Sequence, residues 1–590
     1  MSLDTRLREH FGFSAFRPGQ REACEAALAG RDVLVVMPTG SGKSLCYQLP
    51  ALMRDDLTIV VSPLVSLMQD QVEALGSRIG GAAALVNAQQ DGARNREALA
   101  GAVAGATRLL YVAPERFSSP GFAKALSEAR VGLFVVDEAH CVSQWGHDFR
   151  PDYFRLADAA RFLGARAIFA STATATPQVA GDIAGRLRLR DPVKVTTGFD
   201  RPNLSFAVVA CRSAADKQRR LVAALSEADA LPAIVYAGTR AGCESVAAEL
   251  EAALGEEVIP YHAGLGREQR AVAQRRFMAD EARVVVATNA FGMGVDKANV
   301  RTVAHASVPG SIEAYYQEAG RAGRDGAPAR CLLLAQKRDK GLHVFFIERA
   351  AVDPAMFGRV VAALELRAAG DRYDLGDDEL AALTAAAPEQ LRALIGHLAR
   401  AGVLQPAPAS PDRIRGRLLA PLDGDALGRC RAAADEAQRA RWRQYRSVWA
   451  FVESQTCRRT AILRHFGDAT AGRASTAQRL CCDVCNPSLV ASDEPVTNVG
   501  ARRLAGDLDA AILEVVTSAD PAVGRTRAVE ILRGGRSAVI RRHSYDGLPT
   551  YGIYAHMSSS DVLRRVDDLL KTGRLRSTGG RFPKLATVPG

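Results

Sequence analysis

From Arg31 to about Val195, short apolar runs alternate with stretches whose apolar residues recur every three or four positions. The runs are Asp32–Val36, Thr58–Val61, Arg108–Val112, Val131–Val136 and Ala167–Ala170. Between them lie the helical patterns Val65–Leu75, Asn95–Val103 and Val179–Leu187. Apolar runs without polar alternation read as strands covered on both faces, and their alternation with helices predicts a parallel sheet. The pattern restarts after Ser205, with strands at Ala233–Tyr236, Arg283–Ala287, Thr302–Ala304 and Cys331–Leu334 and helices at Arg240–Leu254 and Arg267–Met278. The predicted fold is therefore α/β, with two tandem parallel-sheet domains at residues 1–204 and 205–338.

After Gln336 the pattern changes. Pro354–Ala368, Asp377–Ala382 and Pro388–Ala401 read as helices, and Gly402–Leu404 with Arg417–Leu419 as a small wing, so 339–424 is expected to be an inserted winged helix. Asp425–Arg459 is one long helix-forming stretch rich in arginine and leads into a cysteine cluster, giving a helical module at 425–490. A polar linker, Pro487–Val499, precedes a last block, 500–590, that again reads as helices followed by a β-wing at Leu575–Thr587.

At ~150 residues per domain, 590 residues suit about four domains. No apolar run approaches the ~18 residues of a membrane span. Met1–Gln20 lacks the apolar core of a secretory leader, so a cytoplasmic, nucleoid-associated protein is expected. Eleven cysteines without a leader point to thiols or metal rather than disulfides; Cys24, Cys211, Cys243 and Cys331 sit singly in apolar runs and read as core. A net charge of +11 favours a polyanionic partner, nucleic acid before a membrane surface.

Candidate chemistry starts at Met37-Pro38-Thr39-Gly40-Ser41-Gly42-Lys43-Ser44, placed between a strand and a helix. Such a loop cradles phosphates on backbone N–H groups, with Lys43 near the β- and γ-phosphates and Ser44 on Mg²⁺. Asp137 and Glu138 end an apolar strand: Asp137 suits the Mg²⁺ and Glu138 the attacking water, unless they are simply a solvated loop. Arg321 and Arg324, three apart, are arginine-finger candidates or a pair of surface arginines. Cys482 and Cys485 have zinc-knuckle spacing. Together with Cys457 and Cys481 they form the zinc candidate, with Cys430 as the alternative ligand. Four thiolates would leave no open position, so that zinc would be structural.

The order of motifs resembles that of superfamily-2 helicases, and specifically the RecQ family. The resemblance rests on Phe16-Arg17-Pro18-Gly19-Gln20, the phosphate loop, Ser62–Gln71, Ala113–Arg116, Asp137–His140, Ser171–Ala175, Tyr261–Leu265, Ala287–Lys297 and Gln317–Gly326. It implies two RecA-like domains, ATP-dependent DNA unwinding during repair and recombination, probable 3′→5′ polarity being the family's, and a nucleotide held by Phe16, Arg17, Gln20, Thr39–Ser44 and Asp296. It implies DNA contacts from Ser62, Pro63, Ser66, Gly292, Met293 and Gly294. The segment Cys141–Tyr153 resembles the family's aromatic-rich loop, with Trp145 and Phe149 stacking on bases and Arg150 pairing with phosphate. His140 and Gln144 would relay that contact to the catalytic acids. Tyr153 suits either the loop's stacking role or a buried cluster. Residues 504–590 resemble the family's C-terminal winged helix, with Arg564 and Arg565 as duplex contacts or as a solvated face. The expected cofactors are ATP, Mg²⁺ and Zn²⁺. Single-stranded and forked DNA are the expected partners; a single-strand-binding protein is compatible with this reading. No further helical domain is expected after the wing. Translocation without unwinding, and a DNA scaffold with an idle ATP site, remain the competing readings.

Overall fold

The computed structural model describes residues 2–588 except 64, 80–81, 88–89, 144–150, 293–296, 408, 410–412, 472–480, 491–507, 536, 538, 541–542, 544, 546–547, 549, 556 and 579–582. It consists of two units, Met1–Ser492 and Asp493–Gly590.

In the first unit, strands β1 (Val33–Val36), β2 (Leu57–Val61), β3 (Ala83–Val86), β4 (Leu109–Val112), β5 (Val131–Val136), β6 (Ala167–Thr172) and β7 (Val193–Thr196) form one parallel sheet in the order β3-β4-β2-β5-β6-β1-β7. Every residue of β1, β2 and β5 is buried, as unbroken apolar runs require. Alternate residues feed two cores: Val33 and Val35 pack on one face, Leu34 and Val36 on the other. β3 and β7 escaped the sequence reading. They are short edge strands, and β7 is largely exposed.

The second sheet is also parallel. Its strands are β8 (Leu204–Cys211), β9 (Ala233–Tyr236), β10 (Val258–Tyr261), β11 (Val284–Ala287), β12 (Thr302–His305) and β13 (Ala329–Gln336), in the order β10-β11-β9-β12-β13-β8. The helix Lys337–Arg349 is capped at its start by Gln336 and Asp339, so an expected boundary at 338/339 cuts a helix. Beyond it, the helices Ala355–Arg367, Asp377–Thr384 and Pro388–Arg400 pack with a three-stranded antiparallel sheet around a core of their own. The sheet comprises β14 (Arg372–Gly376), β15 (Leu404–Ala407) and β16 (Arg413–Leu418) in the order β14-β16-β15. β14, absent from the sequence reading, makes the expected two-stranded wing a three-stranded sheet. Cys430 is buried in this core, away from the other cysteines.

The stretch expected as one helix over Asp425–Arg459 is two: Gly424–Glu453, then Arg458–His465. Between them the chain turns so that Cys457 caps the second helix. Arg458 and Arg459, the last of that arginine-rich stretch, are 4% and 1% exposed. The cysteine segment adds to the edge of the second sheet. Phe206 of β8 donates its N–H to the Cys481 carbonyl at 3.2 Å and accepts from the Asp483 N–H at 3.0 Å.

The second unit contains the helices Leu508–Ser518, Arg525–Leu532 and Ser559–Lys571, followed by the hairpin β17 (Leu575–Ser577) and β18 (Leu585–Thr587). The wing tip lies outside the described residues. Among the described residues no helix is long and apolar enough to cross a membrane.

Candidate functional site: a cleft between two sheets and a four-cysteine cluster

Strand order brings the motifs together. β6 lies between β5 and β1, so the loops leaving the carboxyl ends of these three strands adjoin, where parallel sheets hold ligands. Met37 donates to the Thr172 carbonyl at 3.1 Å and Asp137 to the Val61 carbonyl at 2.8 Å, extending the strands into their loops.

The phosphate loop turns through Gly40 and Gly42, whose φ values of 82° and 80° lie in the left-handed region. A Cβ at Gly42 would stand 2.7 Å from Gln20 Nε2. Gln20 donates that nitrogen to the Ser41 and Gly42 carbonyls at 2.9 and 3.2 Å, and Arg17 Nη1 donates to the Gly40 carbonyl at 2.6 Å. Both residues, read from the resemblance as nucleotide contacts, here also brace the loop. Phe16 lies under the Arg21 guanidinium, 4.8 Å from ring centroid to Cζ. Lys43 Nζ donates to the Met37 and Pro38 carbonyls at 3.1 and 3.3 Å. Burial lowers its pKa; Glu138 and Asp137 oppose that, and Arg324 adds to it. Among the described residues the buried Ser41 Oγ has no hydrogen-bond partner, which suits a loop built for phosphate oxygens.

Asp137 accepts from Ser171 Oγ at 2.6 Å. Burial, then the neighbouring Glu138, raises its carboxyl to about 6. Glu138 has a left-handed backbone, φ 48°, a strained position of the kind found at working sites. Its Oε2 lies 3.2 Å from His140 Nδ1, which also lies 3.0 Å from Thr172 Oγ1. His140, fully buried, thus links the acid to Thr172, the last residue of β6. Tyr153 is fully buried in the first domain's core, so it packs rather than stacks on a base; its hydroxyl donates to the Asp137 carbonyl at 3.3 Å.

The second domain closes on this loop. A Cβ at Gly40 would lie 3.5 Å from Arg324 Cγ, and one at Gly320 3.8 Å from Thr39 Cβ. Arg321 is 4% exposed, and its charge acts on the buried Tyr236 hydroxyl. Sequence reasoning missed Arg201, on the linker between the sheets. It donates from Nη1 to the Thr39 and Gly320 carbonyls and from Nη2 to those of Ala322 and Gly323. A linker arginine outside every expected motif gave no signal in sequence.

Several expected DNA contacts stand differently. Ser62 is 1% exposed, so its hydroxyl is not presented at a surface. Gly292 is buried as well: a Cβ there would lie 2.8 Å from the Asn289 carbonyl and 3.7 Å from Arg321 Nη2. Pro63 follows Ser62 at the carboxyl end of β2, and Ser66 lies in the helix Val65–Ile79. Arg565, itself still exposed, pairs with Asp509 and so ties two helices of its own unit together, and Arg564 stays exposed beside Asp561 at 3.1 Å. Gln144, Trp145, Phe149, Arg150, Met293, Gly294 and Asp296 lie outside the described residues.

The sulfurs of Cys457, Cys481, Cys482 and Cys485 all lie within 4.8 Å of one another. Cys457 to Cys481 is 3.5 Å and Cys457 to Cys482 is 3.8 Å. A tetrahedron with ~2.3 Å zinc–sulfur bonds has sulfurs about 3.8 Å apart, so the four residues fit zinc. Although burial would raise it, bonds from Thr460 and the other sulfurs bring the Cys457 thiol down to about 6; burial and neighbouring sulfurs push Cys485 up to about 11 and Cys481 higher still. Sulfurs this close ionise together only around a cation.

A phosphate loop and paired acids on one parallel sheet, faced by arginines from a second, define a two-domain helicase motor. The family described as DEAD/DEAH box helicase matches residues 17–183, and the helicase conserved C-terminal domain matches 216–326. RecQ zinc-binding matches 421–486 and the RQC domain 507–589. The ATP-dependent DNA helicase RecQ of Bacillus subtilis is 32% identical over 584 residues, covering 98% of this chain and 81% of that protein. The probable ATP-dependent DNA helicase RecS of the same organism is 38% identical over 375 residues, 64% of this chain and 75% of that protein. The RecQ helicase of Pasteurella multocida is 41% identical over 366 residues, 62% of this chain and 56% of that protein. The chain belongs to the RecQ family.

Proposed function

We infer that this protein is an ATP-dependent DNA helicase that hydrolyses ATP in the cleft between its two parallel sheets. The observation that carries the reading is the apposition of Arg324 to Gly40, with Arg324, Asp137 and Glu138 all acting on the Lys43 charge. Lys43 holds the β- and γ-phosphates, Glu138 takes the proton of the attacking water, and Arg321 and Arg324 meet charge developing on the γ-phosphoryl group. Ser44 and Asp137 would hold Mg²⁺, which would offset negative charge on the phosphates. Asp296 belongs to the same nucleotide site in this reading.

Single-stranded DNA runs across both domains. With Ser62 and Gly292 buried, backbone groups and the neighbouring Pro63, Ser66, Met293 and Gly294 are the contacts left to carry it. Trp145, Phe149 and Arg150 sense the strand. Tyr153 and His140 tie the two ends of their segment to Asp137 and Glu138, which supports coupling between DNA and hydrolysis. Polarity is 3′→5′, and the setting is DNA repair and recombination in the cytoplasm, at the nucleoid. The domain limits proposed are 1–204, 205–338, 339–424, 425–490 and 500–590, the second boundary being better placed after Arg349. A forked-duplex assay with and without ATP tests the function. Strand separation requiring ATP is expected; DNA-stimulated hydrolysis without separation would leave a translocase.

A further inference from the structure

We propose that Arg201 is a positioning residue of the nucleotide cleft: from the interdomain linker it holds the double-arginine turn in register with the phosphate loop. The inference rests on the helicase reading above and deepens it.

Nη1 of Arg201 bridges the two domains, donating to the Thr39 carbonyl at 3.3 Å and to the Gly320 carbonyl at 3.2 Å. Nη2 donates to the Ala322 and Gly323 carbonyls, both at 3.0 Å. These acceptors flank Arg321 and precede Arg324, so the guanidinium grips the turn that carries both fingers. All four acceptors are main-chain atoms, so what Arg201 contributes depends on the fork of its guanidinium. A planar guanidinium spans them; the single ammonium of a lysine does not.

The linker supplies a fixed base for this fork. Phe199 stacks on Phe466, 4.4 Å between centroids and 14° between planes. The Phe199 N–H donates to Asp468 at 2.6 Å, and its carbonyl accepts from the Tyr316 hydroxyl at 2.7 Å. The buried Arg459 donates to the Asp200 carboxylate at 2.5 Å and to the Arg201 carbonyl at 2.8 Å. Asn203 Nδ2 holds the Gly323 carbonyl at 2.8 Å from the other side. The helix that follows Cys457 is therefore joined, through Arg459 and Arg201, to both walls of the ATP cleft. Three of the four Arg201 bonds stay within the second domain's turn. The bond to Thr39, the longest, is the one that breaks and re-forms as the cleft opens and closes.

Misplacing the fingers slows hydrolysis without removing the phosphate cradle, so Arg201 acts on turnover rather than on ATP binding. The test measures DNA-stimulated ATP hydrolysis, melting temperature and single-strand affinity for the full chain, Arg201→Ala, Arg201→Lys, Arg324→Ala and the Arg201→Ala/Arg324→Ala double variant. Both Arg201 variants are expected to lose about tenfold or more in kcat, with KM for ATP, DNA affinity and melting temperature near those of the parent. In the Arg324→Ala background the Arg201→Ala change should add clearly less than its loss alone, because the finger that lies on the phosphate loop is gone and only Arg321 is left to position. A smaller loss in kcat, or losses that multiply in the double variant, would overturn the proposal. Should Arg201→Ala fail to fold, Arg201→Lys carries the same expectation. A parent chain without DNA-stimulated hydrolysis would instead refute the helicase reading on which this one stands.

Discussion

The nucleotide cleft and the cysteine cluster are assembled on opposite principles. The cleft is a meeting of loops from two sheets, held by bonds to main-chain carbonyls from Gln20, Arg17 and Arg201 and lined by charges that oppose one another. Its backbone is strained at Glu138, and among the described residues the Ser41 hydroxyl is left without a partner. The cluster is closed: four sulfurs point at one another, and the segment that carries three of them is bonded into the edge of the second sheet. An open, mismatched site is suited to binding and releasing a charged substrate, whereas a closed set of four soft ligands is suited to holding shape. Arg459 lies between them, two residues from Cys457, and joins the rigid site to the moving one.

This contrast is most severely tested at the cluster. Cys482→Ser should leave the freshly purified protein with well under one equivalent of zinc and unfold the region 457–485, since structural zinc supplies ~10–16 kcal/mol of apparent binding energy in small peptides. Elemental analysis with limited proteolysis reads both; a zinc-free parent protein with an intact module would remove the distinction between the sites. At the cleft the expected losses are kinetic. Lys43→Ala should lower ATP hydrolysis by about three decades or more while single-strand binding persists, because the phosphates lose their cation and the DNA loses nothing. Near-parental turnover would displace the site from this loop. Arg324→Ala should cost about two decades in kcat, with Arg321→Ala no larger, since Arg324 is the one lying on the loop.

A smaller effect follows from the acids. Asp137 titrates near 6, above the usual carboxylate range, because burial and Glu138 disfavour its ionised form. Activity needs the carboxylate, so log(kcat/KM) should be flat above about pH 6 and fall with unit slope below it. The folded protein binds this proton more tightly than the unfolded chain does, so protonating Asp137 stabilises the fold between about pH 6 and 4. The activity loss should therefore precede any melting, and a break near pH 4 would mean that the acid is not tuned. Smallest of all, Trp145→Ala should weaken DNA binding by no more than the ~1–3 kcal/mol of one stacked base, yet reduce the fold-stimulation of hydrolysis by DNA. Equal stimulation in variant and parent would cut the aromatic segment out of the coupling.

Local chemistry made much of this molecule readable from sequence. A strand buried on both faces must be apolar throughout, so β1, β2, β5 and β6 were visible as runs. A phosphate loop needs its glycines and its lysine contiguous, and a zinc knuckle its cysteines at fixed spacing, so these too were legible. The edge strands β3 and β7 were not, because β3 opens on alanines, which do not favour strands, and β7 alternates apolar with polar residues. The break in the long arginine-rich helix was hidden as well: its residues all favour helix, and only the position of Cys457 among the other sulfurs requires a turn at Ser454–Cys457.

What tertiary structure alone decided is the use of polar residues whose partners are far away in the chain. Ser62 could be exposed or buried until strand packing closed over it, and Arg565, which stays exposed, had no marked partner until Asp509 came alongside. Arg201 belongs to no periodic pattern, and its acceptors are carbonyls, which every residue has and no sequence motif marks. Side-chain type and spacing determined which chemistry this chain carries. Which arginine bonds to which main-chain oxygen was settled only when two sheets and a cysteine module met around one linker, because a hydrogen bond depends on distances that spacing along the chain does not set.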